Sequence, residues 1–292
     1  VRKNTLIKKN TINNILIFTH AGGSTKYGPN IRWYNFALAL KTFDIKTTII
    51  SSSFFHKYTK QPKIEKNVTK EIINNIDYLW IKTSKYKKRG YQQVINQLEF
   101  TIKSFLTILK VKDIKPKLIV ASSPHPFVIF PAFIFAKVFS AKLIYDTRDL
   151  WPQVLLELGV INKINPFYWA LKFVEHFAVI NSDMVFSVKE GDYFYYKKFF
   201  KLKPSKFYYI PNGFMPDEQI KDSKTFFIRD IIDELKSKNK FILTYAGALS
   251  RYYNIESLLE LAINIKKYKL NVLVIIVGGG DLLKSFKDKV IS

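Results

Sequence analysis

Two glycines and a histidine follow the first apolar run of the sequence and could contact a phosphate. His20 is followed closely by the pair Gly22 and Gly23, and Arg32 leads into a predicted helix. Paired glycines let backbone N–H groups approach a phosphate, and the N-terminus of a helix adds a favourable dipole. A tight turn without a ligand is the alternative, because the spacing is not that of the GxGxxG phosphate-binding motif.

A histidine between two prolines follows another apolar run, at residues 118–122. Pro124 and Pro126 flank His125, and a residue that precedes proline is restricted to extended backbone. An imidazole held in such a loop could donate a hydrogen bond to a substrate hydroxyl or accept one from it. An ordinary loop histidine is an equally good interpretation of the sequence alone.

Two carboxylates, a guanidinium and an indole lie within six residues after the apolar run at 142–147. These residues are Asp146, Arg148, Asp149 and Trp151. Such a cluster is costly inside a core and useful in a cleft. For Arg148 we expect a structural role, as half of an Arg–Asp pair that supports the loop. We predict that Asp146, Arg148 and Asp149 support the cleft together with Arg32.

An alternation of strands and helices must position these segments. Short β-branched runs alternate with amphipathic stretches, a pattern typical of parallel strands joined by helices in an α/β fold. The predicted strands are 15–19, 46–51, 78–82, 118–122, 142–147, 184–188 and 207–210, and the predicted helices are 30–41, 91–110, 127–139, 166–180 and 191–200. Ligands of open parallel sheets bind beyond the carboxyl ends of the strands. The residues just after each strand are therefore the strongest site candidates.

The alternation begins again after Pro211, Asn212 and Gly213 and a polar stretch at 217–224. We predict a boundary here, with domains at 1–215 and 216–292. The second domain is predicted to contain strands at 241–246 and 272–277 and helices at 225–237, 255–267 and 281–290. Two strands form only part of a Rossmann-like sheet. The second doubly wound domain is therefore predicted to be incomplete.

The composition is strongly basic and lacks cysteine. A formal net charge of +24, from 47 Lys and Arg against 23 Asp and Glu, favours an anionic partner such as nucleic acid, an acidic membrane surface or a phosphorylated ligand. The lysine bias of an AT-rich genome explains the charge equally well. Without cysteine, and with four histidines that lack ligand-like spacing, we expect no disulfide and no metal site.

No export signal or membrane anchor is expected. The first 14 residues lack the apolar core of a signal peptide. The longest apolar run, at 127–139, is too short to span a bilayer. We therefore expect a cytoplasmic protein whose contact with a membrane, if any, is peripheral.

Five segments, taken together, resemble a known family. In this order and spacing, GGSTKYGPNIR, ASSPHPF, YDTRDLWP, YIPNG and YAGALS are similar to bacterial glycosyltransferases of the GT-B fold, in the family-four retaining group. Within that group the chain most resembles the O-antigen and capsule branch, which includes fucosaminyltransferase-like enzymes. The resemblance implies an acceptor-side and a donor-binding Rossmann-like domain. It also implies retaining transfer of a sugar from a nucleoside-diphosphate sugar to a lipid-linked glycan, at the inner face of the cytoplasmic membrane and without a metal or other cofactor.

The resemblance also implies roles for individual residues. Gly22 and Gly23 would form a loop that closes on the donor diphosphate, and His125 would lie near the transferred sugar as the catalytic residue. Gly247 would begin the donor-domain loop that faces the diphosphate, and Arg251 is the nearest cation to neutralise it. Positive groups and helix dipoles would stabilise the departing nucleoside diphosphate.

The sequence departs from the family pattern in its second domain. Tyr252, Tyr253 and Asn254 follow Arg251 where the family carries a basic residue and a glycine, and no two glutamates lie eight positions apart. The family uses such a pair to hold the donor, so we expect little or no transferase activity from these 292 residues. The alternatives are a non-catalytic remnant and, from charge alone, a nucleic-acid-binding protein, although we expect no nucleic acid. Basic residues and tyrosines at 82–91 could also contact an anionic membrane.

Overall fold

The structure of the protein is a computed structural model. It describes residues 13–28, 31–87, 90–123, 125–213, 230, 232–234, 240–250, 253–280 and 282–291. The chain divides into two compact units, Val1–Met215 and Pro216–Ser292. The first unit contains an eight-stranded sheet and the second a pair of parallel strands.

The strands of the first unit form one largely parallel sheet in the order β3-β4-β2-β1-β5-β6-β7-β8. Their bounds are β1 Asn14–Thr19, β2 Lys46–Ser52, β3 Val68–Ile73, β4 Ile76–Ile81, β5 Leu118–Ser122, β6 Lys142–Thr147, β7 Met184–Ser187 and β8 Phe207–Tyr209. Among the pairs of described strands in this sheet, β3 with β4 is the antiparallel one. The α/β fold class predicted from the sequence is confirmed.

Helices connect these strands as the alternating pattern predicts. They are α1 Arg32–Lys41, α2 Tyr91–Ser104, α3 Ile108–Val111, α4 Ile129–Val138, α5 Gln153–Glu157, α6 Pro166–Asn181 and α7 Asp192–Phe200. The single helix predicted at 91–110 is interrupted by a 3₁₀ turn at Phe105–Thr107. The hydroxyls of Ser104 and Thr107 donate to backbone carbonyls four and three residues earlier, and such bonds bend a helix.

Alternate residues of the central strand enter two separate cores. Leu16 and Phe18 of β1 belong to the core that also contains residues of α2, α4, α6 and α7, whereas Ile15 and Ile17 belong to the core that contains residues of α1. Successive side chains of a strand point to opposite faces. Since both faces are covered, the four residues 15–18 between the strand ends are all apolar, as in buried parallel strands.

A hairpin at one edge of the sheet was not predicted from the sequence. Asn74 and Asn75 connect β3 to β4, with φ angles of 50° and 65°. A two-residue connection with both angles positive is the type I′ turn that matches the twist of paired strands, and asparagine tolerates it. Two consecutive asparagines between runs of alternating apolar and polar residues were the sequence feature that could have predicted this hairpin.

The second unit contains two parallel strands, β9 Phe241–Ala246 and β10 Val272–Val277, in direct register. Helices α8, Glu256–Lys267, and α9, Leu283–Ile291, follow them. The helix predicted at 225–237 lies mostly outside the described residues. Across the described part of the chain, no helix has both the length and the apolar content needed to cross a bilayer.

Candidate functional site

The candidate residues of the first unit meet at one edge of its sheet. Strands β1, β5 and β6 are parallel neighbours, so their carboxyl ends lie side by side. The segments that follow them begin at His20, Ser123 and Arg148. This edge is where ligands of open parallel sheets bind.

His125 is buried at this edge with no hydrogen-bond partner for either ring nitrogen among the described residues. Burial holds the pKa of His125 well below its usual range, and the nearby His20 lowers it further. The ring is therefore neutral at physiological pH, with one N–H and one lone pair. An unpaired buried polar group costs about 1–3 kcal/mol. A ligand hydroxyl that reached the ring would recover part of that free energy.

His20 lies against His125 and is held by an asparagine. The two rings meet edge to face with centroids 4.9 Å apart. His20 Nε2 lies 2.5 Å from Asn96 Oδ1, and the Asn96 amide nitrogen donates to the carbonyl of Ser84 at 2.5 Å. The amide oxygen can only accept, so His20 carries its proton on Nε2. Burial lowers the pKa of His20 to about 4.

Asn96 was not among the residues singled out from the sequence. It lies in the middle of α2 and is fully buried. A polar residue inside a helical pattern is a weak signal, because only the tertiary structure shows which face it occupies.

Asp146 pairs with Arg32, which lies 114 positions earlier in the chain. Arg32 Nη2 is 2.9 Å from Asp146 Oδ1, and the two side chains are 2% and 0% exposed. Trp33 Nε1 and Ser122 Oγ donate to Asp146 Oδ2 at 3.0 and 2.7 Å. The carboxylate is thus fully hydrogen-bonded within the fold, as a buried charge requires.

Arg148 lies on the turn that follows Asp146, and its role in an Arg–Asp pair stays a prediction. Its backbone N–H donates to Ser123 Oγ at 2.9 Å. Burial lowers the pKa of the Arg148 guanidinium, and the charges of Asp146 and Asp149 oppose that shift. The sequence could not identify Arg32 as a partner of Asp146, because the contact depends on α1 lying beside β6.

Arg32 also holds the last loop of the first unit. Its guanidinium donates to the carbonyls of Ile210 and Pro211 at 2.9 Å, and to Asn212 Oδ1 at 3.2 Å. The Asn35 amide donates to the carbonyl of Gly213 at 3.2 Å. One helix, α1, therefore fixes residues 210–213, the segment that contributes YIPNG to the family resemblance.

Asp149 differs from Asp146 in being solvent-accessible. Lys189 Nζ lies 3.8 Å from Asp149 Oδ1, and both side chains are largely exposed. An exposed pair of this kind contributes little to stability. The backbone carbonyl of Asp149 accepts from Thr147 Oγ1 at 3.0 Å, which closes the turn after β6.

The Gly22 and Gly23 loop is packed against neighbouring strands. The Gly22 N–H donates to Ser51 Oγ at 2.8 Å, and the Gly23 carbonyl accepts from the Tyr78 hydroxyl at 3.0 Å. A Cβ atom on Gly22 would lie 2.9 Å from Ser51 Oγ. The Gly22 amide therefore serves the loop itself, and a phosphate contact by this pair stays a prediction.

Gly247 lies in a glycine-dependent contact between two loops of the second unit. Its N–H donates to the carbonyl of Val277 at 3.0 Å. A Cβ atom on Gly278 would lie 1.8 Å from the Gly247 carbonyl oxygen, which no side chain could tolerate. The loops after β9 and β10 thus touch through their backbones. Arg251, the predicted cation of this loop, lies outside the described residues.

Within the described ranges, no group of three or more His, Asp or Glu side chains could hold a metal ion. The chemistry available at the described edge is hydrogen bonding by a neutral imidazole beside a buried ion-pair network.

No protein-family model matches the sequence, and no curated protein matches it either. Solved structures do match. Sucrose-phosphate synthase from Thermosynechococcus elongatus superimposes with a TM-score of 0.64 at 15% identity, over 96% of this chain and 68% of that one. The chain has the GT-B fold.

The GT-B fold is also that of the Anabaena protein HepE, solved with UDP-glucose, which matches with a TM-score of 0.55 at 13% identity over 95% of this chain. A protein from Listeria monocytogenes assigned as a UDP-N-acetylglucosamine 2-epimerase matches with a TM-score of 0.53 at 12% identity, over 96% of this chain and 66% of that one. The chain spans 65% of the length of HepE. These identities establish the fold alone.

Proposed function

We propose that this protein is a retaining glycosyltransferase that moves a sugar from a nucleoside diphosphate to an acceptor. The observation that supports it most is His125, buried, neutral and unpartnered within the described residues, at the ligand-binding edge of a GT-B fold. The resemblance of the five sequence segments to the family implies that the same histidine lies near the transferred sugar. The net charge of +24 suits an anionic donor.

His125 would bind and orient the transferred sugar. A neutral imidazole can accept from one sugar hydroxyl and donate to another group, which fixes the sugar without adding charge. The Asn96 and His20 contacts would hold the His125 ring in place. The Arg32–Asp146 network would keep β6 and residues 210–213 fixed around the site.

The departing diphosphate would be stabilised by fixed dipoles and cations, since it gains negative charge in the transition state. We assign this task to the loop at Gly247, with Arg251 as the cation. No metal is required for that arrangement. The glutamate pair absent from this sequence would normally hold the donor, so the 292 residues alone are expected to turn over weakly or not at all.

The acceptor proposed is a lipid-linked glycan in O-antigen or capsule synthesis, at the inner face of the cytoplasmic membrane. This part rests on the similarity of the five segments to that branch of the family. The first unit would be the acceptor-side domain and the second a partial donor-binding domain.

Donor-dependent product formation tests the proposal. The protein expressed from its complete reading frame would be incubated with UDP-, GDP-, ADP- and dTDP-sugars and a polyprenyl-linked glycan, with release of nucleoside diphosphate and mass of the glycan as readouts. We expect both signals with one donor and their loss in His125→Ala. Phe43→Ser, an exposed change on the turn after α1, is the control.

Other outcomes would decide against transfer. An altered nucleotide sugar with no gain in glycan mass would indicate an epimerase. Absence of binding to every nucleotide sugar would favour the non-catalytic alternative, and salt-dependent binding of DNA or RNA at equal protein concentration would favour the nucleic-acid-binding one.

A further inference from the structure

Helix α2 carries apolar side chains on two opposite faces. Its inner face buries Phe100 in the core. Its outer face exposes Tyr91, Ile95, Leu98 and Ile102, and the line continues with Leu106 and Leu109 beyond the helix. Ile102 is 67% exposed and Leu109 76%. We call these six residues the outer stripe. The spacing of four and three residues places its four members on α2 along one side of that helix.

The outer stripe belongs to a wider apolar surface. Helix α4 contacts α2, and α6 contacts α4, on the same face of the sheet. Ile134 and Val138 of α4 are exposed, as are Trp169 and Phe173 of α6. Single exposed apolar residues are ordinary, but exposed apolar residues on three helices in contact with one another mark an interaction surface.

Negative charge is sparse on the same surface: Asp113, exposed just beyond Leu109, is outnumbered there by the exposed Lys110, Lys112 and Lys115. Helices α2, α4, α6 and α7, all of whose residues are described, contain three acidic residues. Glu99 is bonded to Lys103, Glu175 is buried beside Lys172, and Asp192 is buried and bonded to Ser187.

Exposed lysines, by contrast, lie among the apolar residues. Lys137, Lys197 and Lys198 are exposed on α4 and α7, and Lys85 and Lys87 precede α2. The partner must therefore accept apolar side chains and supply negative charge. A dimer formed through this face would bring lysines of the two copies together, and their like charges would repel.

We propose that this face docks on the surface of a bilayer that contains anionic lipid, with α2 lying parallel to the membrane. The part of the stripe on α2, from Tyr91 to Ile102, would be about 17 Å long at 1.5 Å per residue. Its side chains would enter the boundary between headgroups and acyl chains, Trp169 would lie at the interface, and the lysines would reach the anionic headgroups. This inference does not depend on sugar transfer. It also assigns the main membrane contact to α2 and not to the basic segment at 82–91.

Vesicle binding by the 292-residue protein tests the proposal. Flotation would be measured with phosphatidylcholine vesicles with and without phosphatidylglycerol. We expect binding to the anionic vesicles, and partitioning weakened about tenfold or more in the double variant Ile95→Ser, Ile102→Ser, because two large apolar side chains no longer leave water. The matched control is Phe43→Ser, Ile72→Ser, which removes two exposed apolar side chains elsewhere.

A second measurement uses the wild-type protein alone. All four tryptophans are described, and Trp169 is the exposed one, at 60%. Its emission should shift to the blue on anionic vesicles and be quenched by brominated lipid, and Trp169→Phe should remove the response. Unchanged emission, or equal binding by both double variants, would overturn the proposal. So would a lipid-free dimer, seen by analytical ultracentrifugation, that Ile95→Ser, Ile102→Ser abolishes.

Discussion

Arg32 at the start of α1 and Asp146 near the end of β6 form a buried ion pair at 2.9 Å. The pair joins a helix on one face of the sheet to the centre of the ligand-binding edge. Removing one partner of a buried pair leaves the other charge without compensation. The stability of the first unit and the shape of its site are therefore coupled at this contact.

Arg32→Met should lower the free energy of unfolding by about 3–5 kcal/mol, because Asp146 would stay buried without its counter-ion. Urea unfolding followed by circular dichroism measures it. Lys70→Met breaks the exposed pair of Lys70 with Asp77 at 3.0 Å and should cost less than about 1 kcal/mol. Equal losses in the two variants would contradict a structural role for the buried pair.

His20 should make the protein less stable in mild acid. Burial lowers its pKa to about 4 from an ordinary value of 6.5, so between these values the unfolded chain binds a proton that the native protein does not. Stability contributed by neutral His20 is present above pH 6.5 and falls toward pH 4, by roughly 3 kcal/mol in total. Comparing urea unfolding of the wild type and His20→Asn from pH 7 to 5 isolates this contribution, since a variant without the imidazole should lose less stability.

Glu175 should make the protein less stable as the pH rises, over a pH range that overlaps the one in which His20 acts. Burial raises its pKa to about 7, against the donors Lys172 and Tyr195 that favour the ionised form. The native protein then keeps a proton that the unfolded chain releases above pH 4.5, so stability falls as pH rises from 4.5 to 7. Glu175→Gln should remove that fall, worth up to about 3 kcal/mol. Parallel stability-against-pH curves for the variant and the wild type would contradict the shift.

Asn96 should fix the proton of His20 on Nε2. In Asn96→Leu, His20 loses the acceptor at 2.5 Å, and the neutral ring should populate both tautomers. Long-range ¹⁵N–¹H correlation spectra of histidine-labelled protein distinguish the tautomers. Asn181→Leu, which removes a side-chain bond on α6 to the Phe177 carbonyl, should leave the His20 signals unchanged.

Gly278 should be intolerant of any side chain, whereas its neighbour Gly279 should accept one. A Cβ atom on Gly278 meets the Gly247 carbonyl oxygen at 1.8 Å, but on Gly279 it meets nothing within 4 Å. Gly278→Ala should destabilise the second unit by more than about 3 kcal/mol and Gly279→Ala by less than about 1 kcal/mol. Hydrogen exchange at β9 and β10 reports on this unit directly, and similar exchange in both variants would contradict the contact.

Buried parallel strands were predictable because burial on both faces makes them continuously apolar. The bounds of β5 and β6 agree with the prediction for that reason. Strand β3 was missed since one of its faces is polar and it lies at the sheet edge. The glycine and histidine segments were found from residue types, but Arg32 as the partner of Asp146 and Asn96 as the partner of His20 depend on contacts between distant parts of the chain. A local sequence pattern does not show which distant residues contact each other across the sheet.

The hydrogen bonds of Arg32 to the loop at residues 210–213 have a consequence for folding during synthesis on the ribosome. A chain emerges from its N-terminus, and domains fold as units during translation. The guanidinium is made early, yet the carbonyls of Ile210 and Pro211 that it binds appear only after the whole sheet has been translated. Until then a buried arginine lacks part of its hydrogen bonding. The nascent first unit is thus expected to stay loosely assembled, and exposed to chaperones and proteases, until its last loop leaves the exit tunnel.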